Sequence, residues 1–169
     1  LCKNNWRGGE PAADAFHLSS TEAAGLFQDI LERGLSLRVK ATGRSMMPFL
    51  MGGEILTIKK VSSASLKRGD LLFFRNPHGY PVLHRVIRKK LDKNVFIFHT
   101  KGDALGQFDE PVTDNHVLGK VSTIERKHTN CARPINLESF FWVAMNYLAA
   151  LNILIGSRAR FALRKLMGR

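Results

Sequence analysis

The chain has little cysteine: Cys2 and Cys131 are the only two in 169 residues, and they match no metal-ligand spacing. They are expected to be free thiols rather than the staple of a disulfide scaffold. Six histidines occur, but never as HExxH or another paired spacing, so no metal site is expected at His17, His78, His99, His116 or His128. No glycine-rich phosphate loop or dinucleotide fingerprint is present, and no cofactor is expected. The first 15 residues carry Lys3, Arg7, Glu10 and Asp14 and lack the roughly 7–15-residue apolar stretch of a secretory signal. Acid is scarce as well, with 14 Asp and Glu against 26 Lys and Arg, a formal +12. An excess of that size either repels itself in solution or faces an anionic partner, and nucleic acid and a membrane surface are the two candidates.

What remains is an ordinary globular composition, 44% hydrophobic and 9% aromatic, in a length that suits one domain. Residues 1–17 hold Gly8, Gly9 and Pro11 without a hydrophobic period and read as a flexible leader. Ser19-Ser20-Thr21-Glu22 offers a capping box, Leu26, Phe27, Ile30 and Leu31 fall on one helical face, and Gly34 supplies a stop. That pattern predicts a helix of about three turns. From Leu35 the period changes to two. Segments rich in Val, Ile and Phe at 35–42, 54–61, 70–75, 81–91, 94–100 and 116–126 are separated by turn signals such as Gly52-Gly53, Arg68-Gly69-Asp70 and Asp92-Lys93-Asn94. Short strands with no helical period between them predict a mainly β fold, a barrel or coiled sheet, over residues 18–127.

The last stretch, 128–169, is of a different kind. Residues 140–155 form an apolar run broken only by Asn146, Tyr147 and Asn152. As a helix it would be about 24 Å long, against about 30 Å of bilayer hydrocarbon. From 126 to 169 there are eight Lys or Arg and a single acid, Glu138. A helix apolar on all sides either packs on the barrel or meets lipid, and a small barrel has little spare surface. The tail is therefore expected to associate with a membrane lipid surface; the run is short for a span, and both the side of the membrane and whether 140–156 spans it are left open.

Gly43-Arg44-Ser45-Met46-Met47-Pro48 follows the first strand. A serine at a glycine-preceded turn, with proline fixing the chain three residues on, is a candidate exposed nucleophile whose own N–H can face a developing oxyanion. His84, in Val82-Leu83-His84-Arg85-Val86-Ile87, lies within a strand, where alternation sends it to one face and Arg85 to the other. Asp103 ends a strand in Thr100-Lys101-Gly102-Asp103, and Asp109 follows shortly. A serine nucleophile needs a base, and an imidazole base needs a carboxylate to fix its tautomer. Ser45, His84 and one of Asp103 and Asp109 meet that requirement in type. Lys89 and Lys90 are the alternative lysine bases and are read as a solvated strand edge.

GRSMMPFL, the Arg68-Gly69-Asp70 turn into a strand, LHRVI, TKGDA and the closing VLGKV come in the order and spacing of the type I signal peptidase family and its self-cleaving repressor relatives. The chain resembles that family over about residues 35–125. The resemblance implies a coiled-sheet β fold and a serine endopeptidase that cleaves a precursor or leader peptide after small residues. It further implies Ser45 as nucleophile and, as in the endoplasmic-reticulum and archaeal branch, His84 as general base. Asp103 matches the aspartate of the family's GD box and Asp109 the acid that the histidine branch needs most, so Asp109 is the preferred orienting carboxylate. Met46 and Pro48 would border the substrate. Gly53-Glu54 stands where the family has Gly-Asp, and Gly43 where bacterial members carry a hydroxyl that assists the oxyanion hole. This leaves the Ser45 N–H, with Thr42 as a possible helper. The family's N-terminal membrane anchor has no counterpart in the leader.

Two competing readings follow from other features. A self-cleaving regulator would cut at Ala24-Gly25, but that bond lies in the predicted helix and the residues before it leave no room for a helix-turn-helix. A non-catalytic basic barrel gripping nucleic acid would need aromatics interleaved with its basic stretch, and only Phe161 is there. Nucleic acid is accordingly the less favoured partner, and a precursor peptide or protein the favoured one.

Overall fold

The computed structural model describes residues 20–126 and 134–167; the leader, Ser19 of the capping box, Cys2, His17, His128 and Cys131 lie outside the described residues. The first helix, α1 (Ser20–Glu32), stops where the sequence predicts. Gly34 takes φ +75° and lets Gly34 N donate to Leu31 O and Leu35 N to Ile30 O, the paired bonds of a glycine-terminated helix. Eight strands follow among the described residues: β1 (Leu37–Lys40), β2 (Ile55–Lys59), β3 (Leu71–Arg75), β4 (Pro81–Asp92), β5 (Val95–Lys101), β6 (Val112–Thr113), β7 (Val117–Glu125) and β8 (Ile135–Asn136). The last described element is α2 (Phe140–Met167). Six strands match the predicted segments to within two residues at either end. The two-residue ladders β6 and β8 are too short to leave a period in the sequence, and α2 continues past the predicted apolar run.

All strand pairs are antiparallel, in the order β1-β2-β7-β3-β4-β5-β6, with β8 beside β7. Register slips in three of the ladders, between Thr57 and Ile58, Phe73 and Phe74, and Val86 and Arg88, each inserting an extra residue that bends its strand. The outcome is a mainly β fold, a curled antiparallel half-barrel sheet flanked by an N-terminal and a C-terminal helix. Two cores form on its two faces. Leu71, Phe73, Met46 and Leu50 join α1 and Leu137 on one side, and Leu72, Phe74, Val86 and Phe98 fill the other. β3 is therefore apolar over Leu71, Leu72, Phe73 and Phe74 rather than alternating, since both of its faces are covered there.

α2 docks by a narrow stripe. Asn146 and Ala150 are buried, and Trp142, four residues before Asn146, meets Phe49 edge-on at 6.1 Å. Gly69, in the turn before β3, lies so close that a Cβ there would stand 2.7 Å from the α2 backbone at Asn146 and Tyr147. Away from the stripe, Phe140, Phe141, Met145, Leu148 and Ile155 are exposed. Among the described residues, no helix is long and apolar enough to cross a membrane.

Candidate active site

Ser45 sits in the loop between β1 and β2. The loop is closed at its base by Ala41 N to Glu54 O (2.8 Å) and Gly53 N to Ala41 O (2.7 Å), and Met46 and Leu50 plug it into the core. Glu54 is buried and accepts the backbone N–H of Met51 and of Gly52, each at 2.8 Å. Burial works to raise its pKa, but those backbone donors, its own N–H and the charge of Arg126 outweigh burial and hold the carboxyl below its ordinary value. The Ser45 carbonyl is fixed from the far side of the site. It accepts Ala104 N at 2.9 Å, and Gly102 packs so tightly on it that a Cβ would come within 2.6 Å.

His84 and Arg85 leave β4 on opposite faces, as alternation requires, and both are buried. His84 Nδ1 lies 2.7 Å from Asp109 Oδ2, and the same oxygen accepts the Thr100 hydroxyl at 2.7 Å. Asp109 is tied to β5 a second time, by its N–H to Thr100 O at 3.0 Å. An ionised Asp109 only accepts, so Nδ1 carries the proton and Nε2 presents a lone pair. Asp103 meets a different partner: Arg85 donates Nε to Oδ1 (2.8 Å) and Nη2 to Oδ2 (2.7 Å). Of the two carboxylates open in the sequence, Asp109 is the one joined to His84.

Ser45 and His84 line one cavity of about 590 Å³, with Thr42 and Gly43 at its exposed rim and Met46 among its apolar walls. No hydrogen bond joins Ser45 to His84; they share the cavity wall. Pro48 is exposed and borders neither this cavity nor the next. Behind His84 and Asp109 lies a second cavity of about 310 Å³, reached by His78, Glu110 and His116. Among the described residues, no three His, Cys, Asp or Glu side chains are grouped to hold a metal ion.

Lys89 corrects the expectation of a solvated strand edge. Its amine donates to Ala64 O (2.6 Å) and Leu66 O (3.1 Å) and stands 4.2 Å from the Phe96 ring centre. Burial lowers its pKa, against the raising influence of Asp114 and Asp70. The deeply buried lysine is Lys101, 2% exposed, which sequence reasoning did not weigh. It pairs in register with Arg85, so its side chain leaves the sheet on the Arg85 face, opposite His84. Thr100 and Asn146 were missed too. A polar residue inside an otherwise apolar helix was the available signal for Asn146, because a buried amide requires a partner.

Compared with known proteins, the chain matches no family model, no curated protein and no solved structure.

Proposed function

We propose that this chain is a serine endopeptidase of the signal peptidase type, with Ser45 as nucleophile, His84 as general base and Asp109 as the carboxylate that orients it. The observation that carries this reading is the Thr100–Asp109–His84 relay, whose buried His84 lines the same cavity as Ser45. His84 Nε2 takes the Ser45 Oγ proton as Oγ attacks a peptide carbonyl, and the proton then passes to the departing amine. Water repeats the sequence on the acyl-enzyme and frees Ser45. The developing oxyanion meets the Ser45 N–H, with Thr42 at the rim as a second donor. The cavity's apolar walls suit side chains that precede the cut, and the resemblance of SMMP and TKGD to the family narrows them to small ones.

An extended substrate also has backbone to pair with. Among the described residues β1 is the last strand of the sheet, with no strand on its outer edge, and Val39 and Lys40 on it border the cavity. A precursor peptide binding there would add a strand, main chain giving affinity and the cavity giving selectivity.

The test is labelling of the full chain by a fluorophosphonate. Label is expected on Ser45, abolished in Ser45→Ala and reduced by several orders of magnitude in His84→Ala. Equal labelling of wild type and His84→Ala would overturn the assignment.

We also propose that the protein works at a membrane surface. Support comes from α2, whose undocked side exposes Phe140 (90%), Phe141 (62%) and Leu148 (51%), and whose sequence continues into Arg158, Arg160, Arg164 and Lys165 without an acid.

A further inference from the structure

We propose that Asn146 of α2 is a positioning residue for the nucleophile, acting through Arg85 and the 102–105 turn; this rests on the reading of Ser45 as nucleophile. Arg85 is fully buried. A buried guanidinium is tolerable only when its donors are met, and here every contact is specific. Nε and Nη2 grip Asp103 bidentately, while Nη1 donates to Asn146 Oδ1 at 2.6 Å and to Gly69 O at 3.1 Å. The Phe49 ring centre lies 4.7 Å from Cζ and closes another side. Asn146 thus supplies the shortest of the four bonds, and it comes from the helix rather than from the sheet.

What Arg85 holds is the start of the turn that seats Ser45. Asp103 lies between Gly102, which presses on the Ser45 carbonyl, and Ala104, whose N–H donates to it. Leu105 N closes the turn on Gly102 O at 3.0 Å, and Leu105 itself lines the cavity beside Ser45 and His84. A shift of the guanidinium is therefore passed to Asp103, to the turn, and to the backbone of the nucleophile. His84 is fixed independently, on the other face of β4, by Asp109. Loss of the Asn146 acceptor would move one partner of the reacting pair and leave the other in place. Misplacement by about 1 Å costs on the order of 100-fold in rate.

A residue that only satisfied Arg85 would, when replaced by leucine, cost stability and leave the labelling of the folded protein unchanged. The positioning role predicts slower labelling of protein that is still folded. In the full chain, Asn146→Leu and Asn146→Ser, whose hydroxyl is too short to reach Nη1, are expected to slow fluorophosphonate labelling of Ser45 by ~10–100-fold. Asn146→Asp keeps an acceptor against Arg85 and is expected to label within about 3-fold of wild type, that is, within about 0.7 kcal/mol. Amide hydrogen exchange at Ala104 gives a readout that needs no chemistry at the serine. Its protection should fall in the leucine and serine variants and persist in the aspartate variant, at a temperature where all are folded. Wild-type labelling rates and Ala104 protection in both the leucine and serine variants would overturn the proposal. If wild type is not labelled at all, the nucleophile reading fails, and the Ala104 exchange pattern alone decides whether Asn146 governs the Ser45 seat.

Discussion

One carboxylate oxygen, Asp109 Oδ2, accepts from both His84 and Thr100, whereas both oxygens of Asp103 are taken by Arg85. The two aspartates should therefore fail differently when each is made asparagine. Asp109→Asn keeps shape and hydrogen-bonding capacity but loses the charge that fixes the tautomer. It is expected to leave the melting temperature close to wild type and to slow Ser45 labelling by roughly 10³–10⁴-fold, the scale seen when a triad carboxylate is lost. Asp103→Asn strips a fully buried guanidinium of its counter-charge and is expected to cost about 3–5 kcal/mol of stability in a denaturant melt. A stable Asp103→Asn with unaltered labelling would remove both the ion pair and the turn from the mechanism. The residue types of the site were legible in the sequence: serine after glycine, histidine in a strand, acids after the next strand. Which aspartate serves the histidine was not legible from the residues themselves, because both follow β5 in similar turns. It is decided by the face of β4 each one meets.

At the scale of elements, short segments rich in Val, Ile and Phe between turn signals located six strands, and β3, with a core on each face, was marked by its continuous apolar run rather than by alternation. Such signals could not find β6 or β8, which are two residues long, nor show how far α2 extends, since Arg, Lys, Leu and Ala beyond Gly156 are good helix formers whatever their hydropathy. The loop between β1 and β2 hides its main support in a residue that looked like a departure from a motif. Glu54 is buried at the loop's end and bonds two of its N–H groups, so its folded-state pKa is depressed. A depressed carboxylate contributes stability above its ordinary unfolded value of about 4.3 and loses that contribution as pH falls through the folded value. Glu54→Gln is accordingly expected to cost about 1–2 kcal/mol at neutral pH. The gap from wild type should close as pH falls through the depressed folded-state value and both side chains become neutral. Denaturant melts over a series from neutral to acid pH measure it, and a gap independent of pH would assign the cost to shape rather than charge.

For the whole molecule, the proposed membrane contact would draw on both the basic excess and the exposed side of α2. The full chain is expected to sediment with vesicles containing anionic lipid and to be released by high salt, since surface attraction is screened beyond about 8 Å at physiological ionic strength. Binding to neutral vesicles as strong as to anionic ones would assign attachment to the apolar residues alone. The contact between α2 and the buried Arg85 has a further consequence, in time. A ribosome makes Ser45, His84 and Asp109 first and reaches Asn146 only about a hundred residues after the serine. At about 5–20 residues per second, that delay is roughly 5–20 seconds. Throughout that interval the nascent sheet holds a guanidinium whose last acceptor has not yet been synthesised, so the serine is present long before it is seated. If Ser45 is the nucleophile proposed above, it would wait for a late helix, and the chain would stay quiet while it is being made.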